Sequence, residues 1–291
     1  MLTGSQEGLT RNPDKWLMYS AEPGFMIALA TLRADLGPDA LDCLSGYAVL
    51  LVKPEGWIEG ILTRLLRFLA DSEFEIVQTF RSELSAVAMH ELWRYSWNVG
   101  PIERIELSEL LLSLGPAYGF LLKDRQNCGT WASTRLAGMK GHSKPDQQRP
   151  GQLRYELRTP SRVMSYVHVP DEPADMVRDI SLLVDRQEMV RLIARCSDTS
   201  GSPCDIRPAD FDDVSYVDRS LFYESRSSVT ASSLMRQIRA VREIFASYRL
   251  DGNRYGIPPA LWQEVRALAA AVSEMPTTGT KLIQPLAEIM S

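Results

Sequence analysis

Histidine and cysteine are scarce in this sequence: three of the first and four of the second among 291 residues. The cysteines, Cys43, Cys128, Cys196 and Cys204, form no C-x-x-C pair. So few candidate ligands argue against a zinc site. They are read as reduced thiols of a cytoplasmic protein. Also missing is any uninterrupted apolar run near the ~18–20 residues that span a bilayer, so no membrane partner is expected. Met1 to Lys15 is polar and lacks the apolar stretch of a signal peptide. An excess of positive charge is lacking too. Thirty-two Lys and Arg stand against 37 Asp and Glu, giving a net charge of −5 and a pI of about 5.4. No overall basic footprint therefore draws nucleic acid, although a local basic cleft remains open.

What is present is an ordinary globular composition, 45% hydrophobic and 24% charged. It supports one large core with extensions, or two domains. The charges fall unevenly: −3 over residues 1–45, zero over 46–195 and −2 over 196–291. In the N-terminal arm, residues 1–45, the pattern predicts one helix, about Pro23 to Asp35, stopped by Gly37-Pro38. Residues 46–195 mix element types. Buried strands are predicted at Tyr47–Lys53, Phe74–Phe80, Ala117–Lys123 and Val163–His168. Pro54-Glu55-Gly56 reads as a turn, and Ile58–Ala70 as a helix with one apolar stripe. Ala86–Trp93, Ser108–Leu114, Glu172–Ile180 and Arg186–Arg195 read as further helices. From Ala137 to Pro160 the chain is polar and rich in Gly and Pro, and reads as a long functional loop. Ser197 to Pro208 reads as a linker. Beyond it, Ser232–Arg249 and Pro259–Ser273 are amphipathic helices that make residues 196–291 a helical C-terminal region.

Several short motifs in residues 46–195 occur in a telling order. Lys53-Pro54-Glu55-Gly56 follows the first strand, and Gly115-Pro116 precedes another. Gly141-His142-Ser143-Lys144-Pro145 is followed by Arg149-Pro150-Gly151-Gln152-Leu153-Arg154. Val167-His168 closes a strand, Asp171 lies three residues on, and Ile180 to Met189 ends the run. In order and spacing this half of the chain resembles the nucleoside diphosphate kinase family. The resemblance implies an α+β fold, with a ferredoxin-like four-stranded antiparallel sheet and packed helices. It also implies transfer of the γ-phosphate of a Mg2+-bound nucleoside triphosphate, such as ATP, through a phosphohistidine on His168. The acceptor would be a nucleoside diphosphate or something more specialised.

The residue types suit that chemistry. Phosphoryl transfer needs positioning and positive charge about the group in flight. Lys53 offers a point charge, and Arg154 a fork for phosphate oxygens. By the resemblance, Arg135 is a second phosphate-gripping arginine, Ser143 stands where the family has a phosphate-contacting Thr, and Asp179 takes the place of the Glu that orients the histidine. The resemblance also implies Mg2+ held mainly by the nucleotide's phosphates, with no protein metal site. The departures cluster at the nucleoside end. Trp93 replaces a Tyr, Ser165 an Asn, and Val169-Pro170 the Gly-Ser after the histidine. The base-stacking Phe has no clear counterpart, Ile105 falling near it, and extra residues lie between Trp93 and Gly115 and between Arg135 and Gly141.

Two other classes stay open: a catalytically silent nucleotide-binding or regulatory module, and a scaffold assembled through its helical extensions. Arg236, Arg239, Arg242 and Arg249 read as a solvated face with local ion pairs, or a contact for an anionic partner. The tryptophans read as core or subunit packing, or as base-stacking platforms. A homo-oligomer of even subunit number is expected, with the arm or the C-terminal helices covering subunit or sheet surface.

Overall fold

Tyr47–Val52 is apolar at all six positions because both faces of its sheet are covered. The computed structural model describes residues 8–126, 128–197, 204, 206, 211, 216–217, 234–250 and 256–278. In chain order these form α1 (Pro13–Ser20), α2 (Pro23–Leu36), β1 (Tyr47–Val52), α3 (Pro54–Ile58), α4 (Leu62–Asp71) and β2 (Phe74–Ser82). Then come α5 (Ala86–Leu92), α6 (Arg94–Trp97), α7 (Ile102–Leu112), β3 (Ala117–Asp124), α8 (Ala132–Lys140), α9 (Leu153–Glu156) and β4 (Val167–His168). The remainder is α10 (Pro173–Leu183), α11 (Arg186–Ser197), β5 (Tyr216–Val217), α12 (Leu234–Leu250), β6 (Gly256–Ile257) and α13 (Pro259–Ser273). The linker expected from Ser197 to Pro208 lies almost wholly outside the described residues, as do the side chains of Tyr248 and Arg249.

The main sheet has the order β2-β3-β1-β4, with every neighbouring pair antiparallel. This is the expected α+β, ferredoxin-like arrangement. Side chains alternate across a strand. Accordingly Ala48, Leu50 and Val52 join Tyr118, Phe120 and Leu122 in one core layer, while Tyr47, Val49 and Leu51 join Leu121 in the other. The first layer packs under α4, α7, α12 and α13, the second under α1, α2, α10 and α11. Gly119 pairs with Phe80 across β2 and β3, and a Cβ there would fall inside the Phe80 ring. Gly119→Val is therefore expected to cost about 1–3 kcal/mol by overpacking. Urea unfolding checks this, and an unchanged midpoint would contradict it.

Several sequence expectations are corrected. The arm holds two helices: α1 is capped by Asn12, whose side chain accepts from the N–H of Asp14 (3.0 Å) and Lys15 (3.2 Å). Pro54-Glu55-Gly56 opens a short helix rather than a turn, since Pro54 presets φ for its first turn. Gly60, at φ +63°, then divides the single helix expected over Ile58–Ala70. The helix expected at Ser108–Leu114 begins six residues earlier, at Ile102. The polar stretch 137–160 carries the end of α8, a turn of 3-10 helix and α9. No helix among the described residues is long and apolar enough to cross a membrane.

The described parts of both flanks pack on their own chain. Thr10 Oγ1 donates to Glu172 Oε2 at 2.6 Å, Lys15 Nζ to Asp175 Oδ2 at 2.6 Å and Tyr19 Oη to Asp175 Oδ1 at 2.6 Å. Burial alone would lower the Lys15 pKa, but Asp175 and Glu172 raise it above the usual lysine range. The arm is thus bonded onto the first turn of α10. At the other end α12 and α13 pack on α7. Arg242 Nη2 donates to Glu106 Oε2 at 2.7 Å, and Trp262 Nε1 to Glu59 Oε1 at 2.8 Å.

Candidate active site

A cavity of about 350 Å³ opens where α5, α6, α7, α8, α9 and α10 meet the end of β4 and the start of α3. Its wall includes Lys53, Trp93, Ser143, Arg154, Ser165, His168 and Asp179, every site residue expected from sequence except Arg135.

His168 closes β4, the short edge strand paired to β1 at Leu51. Sequence reading runs this strand from Val163, but only Val167 and His168 are in the ladder. Tyr166 interrupts it at φ +60°, with its carbonyl turned to accept from the N–H of Lys53 at 2.8 Å. A non-glycine residue in that region is strained, and here the hydrogen bond from Lys53 holds it, two residues before His168. His168 Nε2 lies 2.7 Å from Asp179 Oδ2 on α10. With Nε2–H donated to the carboxylate, the Nδ1 lone pair is left for chemistry. Trp93 meets the imidazole edge to face, with centroids 5.6 Å apart, and stacks on Trp97 at 5.5 Å. Both tryptophans line the cavity, whereas Trp57 and Trp262 are buried in the core.

Positive charge surrounds this group. Lys53 Nζ donates to Ser165 Oγ at 3.1 Å and lies 2.6 Å from Glu55 Oε1, a charge contact that misses hydrogen-bond geometry. Arg154 Nη1 donates to the carbonyl of Gly141 at 2.9 Å, while its buried Nε has no partner. Burial pulls the Arg154 pKa down to about 10. Gly141 is required as glycine: it sits at φ +82°, and a Cβ would press on Gln152. A buried donor without an acceptor is rare and points to a function.

Arg135 is not part of this group. It forks onto Asp124, at 2.6 and 2.7 Å, and lies over the Phe74 ring at 4.0 Å. The expectation that it grips phosphate is corrected, because its fork is already filled at the end of β3. The cation that reaches the cavity from α8 is Lys140, one helical turn and a residue further on. Its Nζ donates to Val169 O at 3.2 Å and to Asp171 Oδ1 at 3.4 Å. Burial lowers the Lys140 pKa against the pull of Asp171, and Arg154 adds to the lowering. Burial would raise the Asp171 pKa, but Lys140 and then Lys15 hold it below the usual range. Sequence reasoning missed Lys140, although its place just before Gly141 was a usable signal. It also missed Arg104 and Arg162, which line the cavity outside any motif.

No protein-family model matches this sequence, and no curated protein does. Solved structures similar to it include a nucleoside diphosphate kinase of Halobacterium salinarum in complex with CDP, at 18% identity and a TM-score of 0.39. That likeness covers 56% of this chain and 95% of the other. The enzyme of Aquifex aeolicus is similar at 20% identity and 0.38, covering 47% and 92%. That of Encephalitozoon cuniculi is similar at 12% and 0.38, covering 47% and 87%. Likeness of this depth carries no argument about activity, and the site is read from its own geometry.

Proposed function

We propose that the chain is a nucleotide-dependent phosphotransferase working through a phosphohistidine on His168. The observation that carries this reading is the 2.7 Å contact of His168 Nε2 with Asp179, inside a cavity ringed by Lys53, Lys140 and Arg154. In the first half-reaction Nδ1 attacks the γ-phosphorus of a nucleoside triphosphate. The N–P bond forms, the bond from phosphorus to the β,γ-bridging oxygen breaks, and its electron pair leaves on the diphosphate. Asp179 keeps the proton on Nε2 throughout and stabilises the cationic ring. An acceptor, a nucleoside diphosphate or a specialised one, then takes the phosphoryl group and restores the histidine. Lys53 and Arg154 hold phosphate oxygens and stabilise charge on the group in flight.

Mg2+ fits as part of the nucleotide. The cavity carboxylates are each matched to a cation or to His168: Glu55 with Lys53, Asp171 with Lys140, Asp175 with Lys15, and Asp179 with His168. They are therefore committed, and we place Mg2+ on the phosphates, where it neutralises charge.

Incubation with γ-labelled ATP and Mg2+ tests the reading. A labelled protein, acid-labile and alkali-stable, is expected. Binding without labelling would favour the silent nucleotide-binding module, and the closure of Glu55 on Lys53 is the observation on that side. Arg154→Ala is expected to weaken ATP binding about 10- to 150-fold, from the loss of a charge-assisted contact of roughly 1.5–3 kcal/mol. An unchanged dissociation constant in calorimetry would remove Arg154 from the site.

A further inference from the structure

Two guanidinium groups in the cavity have no part in the transfer just described. Arg104, on α7, is only 8% exposed. Arg162 lies on the segment that enters β4, one residue before Val163. Both face the cavity beside Gly100, Ile105 and Ser108. Of the other cavity cations, Lys53 lies on Glu55 and Lys140 on Asp171, while Arg154, like Arg104, donates to a single backbone carbonyl. Among the described residues neither Arg104 nor Arg162 has a carboxylate at ion-pair distance. Arg104 Nε is buried and has no partner at all.

The pair is held in place. Arg104 Nη2 donates to the carbonyl of Met275, just past α13. The N–H of Val163, next to Arg162, donates to Ser273 Oγ in the last turn of α13, at 3.2 Å. The end of the C-terminal helix thus holds the Arg104 side chain directly and the backbone next to Arg162. Burial and then the charge of Arg162 pull the Arg104 pKa down to about 10. Two like charges in a half-enclosed site are unfavourable until an anion offsets them.

We infer that Arg104 and Arg162 form an anion-binding site for a phosphate or carboxylate group of the ligand, separate from the phosphoryl chain that His168 attacks. This rests on the phosphotransferase reading for where that chain lies. The second anion has two possible sources: the nucleotide itself, phosphorylated again on its sugar, or an anionic acceptor bound beside it. The planar guanidinium groups of Arg104 and Arg162 suit an oxyanion better than a base edge or a hydroxyl.

Calorimetry on the full chain separates the sources. In one arm, ADP is compared with ADP carrying a 3′-phosphate. In the other, inorganic phosphate is titrated into protein saturated with ADP. The expected result is a gain of about 10- to 150-fold for the 3′-phosphorylated ligand, or saturable phosphate binding on the ADP complex. Arg162→Gln should abolish whichever is seen, and Arg162→Lys should keep part of it. If wild-type protein binds ADP but shows neither effect, the inference is overturned while the nucleotide reading stands. An effect that survives Arg162→Gln in a variant melting like wild type also overturns it. Equal losses of ADP and of the 3′-phosphorylated ligand in that variant would assign the pair to the phosphoryl chain, again overturning it. If ADP does not bind at all, the nucleotide reading fails. Phosphate titrated into the free protein, with and without Arg162→Gln, then decides the anion site by itself.

Discussion

In the His168→Ala variant, ATP binds but no phosphate reaches the protein or an acceptor. The expected fall in transfer is roughly 10⁴-fold or more, in keeping with loss of a nucleophile that no neighbour replaces. The motive is geometric. His168 is the only histidine on the cavity wall; His90 pairs with Glu109 on the outer surface, and the backbone N–H of Lys144 donates to His142 Nδ1 in an exposed loop. Removing the imidazole leaves Lys53, Lys140 and Arg154 in place, so the triphosphate keeps its positive surround. Single-turnover labelling with γ-labelled ATP and calorimetry are to be run on the same preparation. Loss of binding together with labelling would mean the variant has collapsed the site. Full labelling of the variant would move the phosphoenzyme to another residue.

Much of this site was legible because its parts belong to short local motifs. Lys53 follows an apolar strand and precedes Pro54, and that fixes it at a strand end. Arg154 ends a Pro-Gly-containing motif that follows the Gly141-to-Pro145 motif, and that order brings it to the same wall as Ser143. The all-apolar run of β1 announces a strand covered on both faces, and the apolar stripe of α13 gives its limits as observed, Pro259–Ser273. What stayed hidden depends on distant partners. The helix α1 is held by Lys15 and Tyr19 meeting Asp175, about 160 residues away along the chain, and no local pattern signals such a meeting. Arg135 was misplaced because its fork is taken by Asp124, eleven residues earlier at the end of β3, a pairing that no motif signals, and the cation that reaches the cavity from α8 is Lys140. Arg104 lies ahead of the helix expected at Ser108–Leu114 and in no motif, and its bond to the carbonyl of Met275 spans 171 residues of sequence that no local pattern connects.

Asp179→Asn is expected to lower kcat about 10²- to 10⁴-fold with little change in KM for ATP. Asp179 touches neither phosphate nor acceptor in the proposed scheme; it is a positioning residue that acts through His168. Its carboxylate accepts from Nε2–H at 2.7 Å, and that bond fixes which ring nitrogen keeps its lone pair. An asparagine can present its amide N–H₂ to the same nitrogen. The ring would then carry its proton on Nδ1, the nitrogen meant to attack, and the reactive tautomer would be scarce. Asp179→Ala removes the bond without imposing the wrong tautomer, so it should be no worse than Asp179→Asn, although the smaller change in shape belongs to asparagine. Asp179→Glu, which restores the carboxylate with one more methylene, should recover part of the rate. A purely structural role predicts the reverse order, with alanine the most damaging and asparagine nearly silent, because Asp179 is buried on α10 next to Arg178. Steady-state kinetics of the three variants, with melting temperatures alongside, distinguish the two orders. Nearly full kcat in Asp179→Asn would show that this contact is not what prepares His168.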